Sequence, residues 1–225
     1  MNITQNLKKE WFVWPILLAP FVVSIFLWDQ LPEEVPTHFN AKGEADDWGP
    51  KWINAIMLPA IGIATYLLLL VLPLIDPKKK ISNAQKPISA IRIFTSIFFV
   101  VIYALVMTVS MNIEVNLSQY VYLGVGVLFV IIGNYMNSVK PNYFIGLRTP
   151  WALENSEVWK RTHRLGSKLW VVGGLLLMGA PFIIPTDFIS DFIFVIVVIL
   201  AGVPFVYSYL IFKKMEPSSQ NNEED

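Results

Sequence analysis

The sequence predicts an all-α fold: a polytopic integral membrane bundle of six transmembrane helices, with an interfacial amphipathic helix between the fourth and fifth. Three observations predict it. Of 225 residues, 55% are hydrophobic and 15% charged, far too apolar for one soluble domain of that size. Six apolar runs, at about 11–28, 53–75, 93–111, 120–136, 169–184 and 188–212, approach the about 17–25 helical residues that cross an apolar core of ~30 Å. The basic residues are also asymmetric. With the N-terminus inside, all 17 Lys and Arg except Lys42 and Lys51 fall on the cytoplasmic side, so both termini are expected to be cytoplasmic.

Lipid offers backbone groups no water partner, so each run is helical. Pro15, Pro20, Pro59, Pro73, Pro181 and Pro204 imply bends that neighbouring helices accommodate. The run 169–184 is the shortest and must take length from the helix before it, or thin the bilayer locally. Lys8 and Lys9 precede the first run, but no small-residue cleavage site follows it, so it reads as a retained anchor.

Three parts are expected along the chain. Residues 1–90 form a two-span module with an acidic external loop at 29–51, residues 91–214 a four-span module, and residues 215–225 a disordered cytoplasmic tail. In the external loop, Leu31-Pro32 and Val35-Pro36 force extended backbone and Ala41-Lys42-Gly43 reads as a turn. The cluster Lys78-Lys79-Lys80 reads as a topology signal touching anionic lipid, or as a docking point for a partner. A formal net charge of zero gives no nucleic-acid footprint. The absence of Cys rules out disulfides, thiolate metal sites and a cysteine nucleophile.

The densest polar, aromatic and turn-forming stretch lies between the fourth and fifth runs. It reads Asn142-Tyr143-Phe144-Ile145-Gly146-Leu147-Arg148-Thr149-Pro150-Trp151 and continues through Val158-Trp159 to Thr162-His163-Arg164. Thr149-Pro150 is a helix start, with Thr able to cap and Pro placed where no donor is needed. Trp151, Val158, Thr162, Leu165 and Leu169 then recur at helical spacing opposite Glu157, Lys160, Arg161, Arg164 and Lys168, the pattern of an interfacial helix with its basic side toward headgroups.

Residues 142–153, with Val158-Trp159 and Thr162-His163-Arg164 after them, resemble the signature of the SdpI family of bacterial membrane proteins. Pro36-Thr37-His38-Phe39-Asn40, Gly43 and Asp46-Asp47-Trp48 resemble an N-terminal module of uncharacterised function that often accompanies that signature. The resemblance implies a non-enzymatic protein of the bacterial plasma membrane that confers immunity to a secreted peptide toxin. It also implies a second role, sensing the toxin and holding a transcriptional repressor at the cytoplasmic face. A small-solute or lipid facilitator is the alternative.

Candidate binding residues fall in two groups. His38, Phe39, Asn40, Gly43 and Trp48 belong to the external loop, where a toxin arrives. Asn142, Tyr143, Phe144, Gly146, Arg148, Thr149, Pro150, Trp151, Trp159 and His163 belong to the central stretch, where a cytosolic repressor could dock. His38 stands among Glu33, Glu34, Asp46 and Asp47, and pairing with a carboxylate, ligand recognition and metal binding all remain open for it. One His with carboxylates is a poor metal set, and neither a metal site nor a cofactor is expected. Arg148 is either an anion-binding fork or a cap on the helix that ends near Met136. Trp151, Trp159 and Trp170 are membrane-belt residues or partner contacts. No catalytic motif is present, and the span interiors read as free of ionisable groups, with Arg92 and Asp191 at their edges.

Overall fold

The computed structural model describes residues 3–40, 42–75 and 85–215. The Lys78-Lys79-Lys80 cluster and the tail beyond Met215 lie outside the described residues. In chain order the elements are α1 (Ile3–Lys9), α2 (Val13–Leu27), β1 (Glu34–Phe39), β2 (Ala45–Pro50), a π-helical turn (Ile53–Met57) running into α3 (Leu58–Ile75), α4 (Gln85–Ser110), α5 (Leu117–Met136), α6 (Pro150–Glu154), α7 (Ser156–Ile183) and α8 (Thr186–Met215). The stretches Ile53–Ile75, Lys86–Ser110, Leu117–Met136, Ser156–Ile183 and Thr186–Met215 are long and apolar enough to cross a membrane. The apolar helix α2 has 15 residues, about 22 Å at 1.5 Å per residue, and is shorter than a bilayer core. Large apolar side chains such as Phe26, Ile183 and Phe194 are exposed on the outside of the helices, as lipid contact requires. The protein is an all-α membrane helix bundle.

Prolines inside the helices each remove a donor, and the carbonyl four residues earlier must find another. Pro59 frees Ala55 O, which accepts from Ser24 Oγ at 2.7 Å, while the Leu58 N–H reaches back five residues to Ile53 O and makes the π turn. Pro73 frees Leu69 O, which accepts from Arg92 Nη1 at 3.4 Å. Pro204 frees Leu200 O, which accepts from Trp170 Nε1 at 3.3 Å. In all three cases the donor comes from a different helix. The bends are therefore also ties between helices.

Packing is closest between α5 and α7. Gly126 O and Gly174 O each lie 2.6 Å from where a Cβ on the facing glycine would sit, and a Cβ on Gly133 would fall 2.8 Å from Val171 N. Ser167 Oγ donates to Gly133 O at 2.7 Å. Small residues seven apart on each helix let the two backbones touch, the interface available where lipid removes any hydrophobic drive between helices. Around α2, α3 and α4, Val13, Leu17, Tyr66 and Leu70 form one buried cluster and Leu31, Ala55, Tyr103 and Met107 another.

Two local features depart from the sequence reading. The loop expected to be merely extended pairs into an antiparallel hairpin, with Val35 opposite Gly49, Pro36 opposite Trp48 and a bulge between Pro36 and His38. The amphipathic segment after α5 is helical, but Asn155 divides it. Asn155 Oδ1 accepts from Glu157 N and Val158 N and caps α7, leaving α6 as a five-residue piece. From Ser156 the helix then runs unbroken to Ile183, which is how the short apolar run after residue 168 gains its length.

A further correction concerns charge. Arg92 lies inside α4 and is 2% exposed, and Glu10, in the turn between α1 and α2, is 4% exposed. Arg92 Nε donates to Glu10 Oε2 at 2.9 Å and Nη2 to Oε1 at 2.5 Å. Tyr66 Oη and Ser89 Oγ donate to the same carboxylate. Arg92 is thus a buried, fully engaged ion-pair partner rather than an edge charge.

Candidate functional site

The candidate residues lie at the two ends of α5, whose 20 residues rise about 30 Å, and so do not converge on one site. At the N-terminal end of α5 is the hairpin. Its turn is built by Asn40, whose Oδ1 accepts from Lys42 N and Glu44 N, and whose Nδ2 donates to Glu44 Oε2. Gly43, at φ +85°, lets this turn press onto α5. A Cβ there would fall 2.8 Å from Ser118 N, and the left-handed φ disfavours any other residue. Lys42 Nζ contacts Asp187 Oδ1 at 2.6 Å and ties the tip to the start of α8. Beneath, Asn54 Nδ2 donates to Pro36 O at 2.8 Å and fixes β1 to the π turn.

Between the hairpin, α4 and α5 lies a groove of about 440 Å³. His38, Phe39, Asn40 and Gly43 line its hairpin side, facing Phe98, Ile102 and Val106 on α4 and Leu117, Val121 and Tyr122 on α5. Its walls are mostly apolar and aromatic, with a few polar groups among them, suited to the side chains of an amphipathic segment. His38 Nδ1 pairs with Asp46 Oδ1 at 2.5 Å on the exposed face. Trp48, on β2, is 56% exposed and stands outside the groove. The α4 and α5 residues escaped the sequence reading because they sit in uniformly apolar runs that mark no face.

At the C-terminal end of α5 the chain forms a knot-like loop over α7. Asn142 is its centre. Its Oδ1 accepts from Phe144 N at 2.8 Å and Ile145 N at 2.7 Å, and its Nδ2 donates to Lys140 O and Ile145 O. Arg148 Nη1 donates to Tyr143 O at 2.5 Å, so its guanidinium clasps its own loop rather than the end of α5. Thr149 Oγ1 caps α6 through Ala152 N at 3.2 Å, with Pro150 in the first turn. Phe144 packs on Ile88 of α4, and Trp151 meets Phe205 and Tyr209 of α8.

Trp159 and His163, candidate binding residues from the sequence, are 2% and 1% exposed. Trp159 Nε1 donates to Val139 O at 2.8 Å, and its ring stacks on His163 with centroids 4.0 Å apart. His163 Nε2 accepts from Leu147 N at 3.1 Å, and Nδ1 faces Trp159 O at 3.0 Å. A carbonyl can only accept, so the proton is on Nδ1, and the imidazole is neutral. Gly146, at φ +107°, passes so close that a Cβ there would collide with His163 Nε2. The loop's polar groups are largely spent on one another. Tyr143 and Arg148 are among the side chains it presents outward, with Asn137, Ser138 and Lys140 before them.

Comparison with known proteins gives these two ends separate matches. Residues 138–208, from the loop through α6 and α7 into α8, match the SdpI/YfhL protein family. That match spans the stretch in which the sequence resembles the family's signature. Residues 16–63, covering most of α2, the hairpin and the start of α3, match a domain of unknown function, DUF1648. Among curated proteins, "Immunity protein SdpI" of Bacillus subtilis (strain 168) is 29% identical over 219 residues, 94% of this chain and 100% of that protein. No solved structure matches. The apolar helices make this chain a multi-pass membrane protein.

Proposed function

We propose that this protein protects the bacterial plasma membrane that holds it against a secreted antimicrobial peptide, which it meets at the groove beneath the hairpin. The observation that carries the reading is the end-to-end identity with a protein named for immunity. The groove adds a place for the encounter, because an amphipathic peptide needs an apolar slot to take its apolar face. In this reading the hairpin faces outward and both termini face the cytoplasm, the orientation that the Lys and Arg distribution favours. A second role, sensing, assigns the exposed Tyr143 and Arg148 to a cytosolic repressor held at the membrane. The protein then works by binding, without catalysis.

The orientation is checked with single cysteines in this Cys-free chain. Cysteines replacing Glu44 and Asp187 are expected to react with an impermeant reagent on intact cells, and one replacing Glu154 only after permeabilisation. Labelling of the Glu154 position from outside sinks the orientation.

Protection is tested in a sensitive host challenged with the cognate peptide. Ile102→Trp, which fills the groove, and the combined replacement of His38, Phe39 and Trp48 by Ala are expected to lower the tolerated dose about tenfold or more, the scale of losing a central aromatic contact. Membrane levels should stay at those of the parent. Trp48→Ala alone, outside the groove, should change little. Full protection by both groove variants removes the groove from the reading. Solute flux through the purified protein in liposomes without peptide would replace immunity by transport.

A further inference from the structure

At the end of the bundle that carries the loop over α7, α7 and α8 enclose a cleft of about 420 Å³. Lys160, Arg164 and Lys168 line it at successive intervals of four, a row about 12 Å long on one helix. Arg161 beside them is already satisfied by Glu157 at 2.8 Å. None of the three cations of the row forms a salt bridge among the described residues; Glu157, which also lines the cleft, feels Lys160 and Arg164 but is paired with Arg161, so four cations of the lining share a single carboxylate. Like charges four apart on a helix repel, so the arrangement calls for an anion from elsewhere. Tyr207 of α8 adds a hydroxyl on the opposite wall and Leu165 an apolar floor.

The helix surface beyond Lys168 decides the kind of anion. The same winding row continues with Val172 and Leu176, both exposed. Its character therefore switches, at residue 168, from cationic to exposed and apolar. That switch falls where the apolar run of the spanning helix begins, at headgroup depth. An acidic protein segment has no use for apolar surface continuing into the bilayer, whereas a lipid has a charged head and a tail in that order. Arg164, in the middle of the row, offers the planar fork that takes a phosphate through two hydrogen bonds.

We propose that the α7–α8 cleft is a binding site for an anionic phospholipid, with its phosphate held by Lys160, Arg164 and Lys168 and an acyl chain lying over Val172 and Leu176. The site is independent of the peptide groove, and it requires only that the row lie at a membrane surface. Bound lipid would hold α7 and α8 together beside the loop.

The test is native mass spectrometry of the full chain released from membranes containing phosphatidylglycerol and phosphatidylcholine. The parent is expected to retain phosphatidylglycerol in preference to phosphatidylcholine, and millimolar inorganic phosphate should not displace it. Replacing Lys160, Arg164 and Lys168 together by Gln is expected to weaken retention about a hundredfold, and Arg164→Gln alone about fivefold. Lys213→Gln with Lys214→Gln, outside the cleft, should leave retention unchanged, and Arg164→Lys, which keeps the charge, should preserve the fold and most of the binding. Equal retention of the two lipids, or unchanged retention in the triple variant, overturns the proposal. Displacement by inorganic phosphate would make this a free-anion site instead. Loss of a poly-glutamate peptide from the triple variant with lipid retained would make it a protein-docking site.

Discussion

Arg92→Met is expected to remove most of the folded protein from the membrane, and Glu10→Met added to it is expected to bring a large part of it back. The carboxylate of Glu10 receives four donors, two from Arg92 and one each from Tyr66 and Ser89. These groups come from the α1–α2 turn, α3 and α4, so one cluster pins three segments. Removing Arg92 leaves a buried carboxylate on two hydroxyls and strips Leu69 O of its donor, a loss of about 3–5 kcal/mol. Removing both charges eliminates the uncompensated ion. Only the two hydroxyls and Leu69 O then lack partners, at about 1 kcal/mol or a little more each. The double variant should therefore lie between Arg92→Met and the parent. Abundance in membranes and the temperature at which the detergent-solubilised protein aggregates would both report the order. Parent-like behaviour of Arg92→Met would show that the pair holds nothing together.

The same cluster sets a pH expectation. Burial pushes the Glu10 carboxyl up, but hydrogen bonds from Arg92, Ser89 and Tyr66 and the Arg92 charge outweigh it and hold it below the usual carboxylate value. A lowered folded-state value contributes stability that is full above the unfolded value and is lost as pH falls through the folded one. Acidification from neutral to about pH 5 should therefore leave this tie intact.

Much of the bundle was legible because lipid imposes a simple rule, that apolar runs of sufficient length are helices. The prolines were legible as bends. Their consequences were not, because the donors that serve Ala55 O, Leu69 O and Leu200 O come from other helices, at distances no local pattern encodes. Glu10 was missed for the same reason. It sits one residue before an apolar run, after Lys8 and Lys9, and reads as a boundary charge, while its partner is 82 positions away. Gly126 and Gly133, with Ser167 and Gly174, did carry a signal in their spacing of seven. At the central stretch, periodicity found the helix but misjudged how much of it is covered. Val158 and Thr162 belong to the predicted stripe. Trp159 and His163 are buried beside it only because the preceding loop folds over a second face, and periodicity within a helix cannot see a loop.

That covering loop makes Gly146→Ala a strongly damaging small substitution in the 138–208 segment. At φ +107° an alanine is strained by about 1–3 kcal/mol whatever the space around it. Here there is no space, since the new methyl would collide with His163 Nε2. His163 cannot retreat easily, being stacked on Trp159 and tied to Trp159 O. Displacing it costs the Leu147 N–H its acceptor, about another 1–3 kcal/mol for a buried donor left unmade. The total, on the order of 3 kcal/mol or more, should free residues 137–149 from α7 and expose them to limited proteolysis. His163→Ala separates the two causes. It opens room for the methyl but leaves the backbone strain. If the clash dominates, the double variant should be little worse than His163→Ala alone, and the two losses will be far from additive. If strain dominates, they will add. Arg148→Ala offers the functional contrast, because Arg148 is exposed and clasps only Tyr143 O. It should leave proteolysis and membrane level near those of the parent, so any loss of the proposed sensing role would belong to the surface the loop presents. Gly146→Ala with parent-like protease resistance would mean that the loop does not depend on the contact with His163.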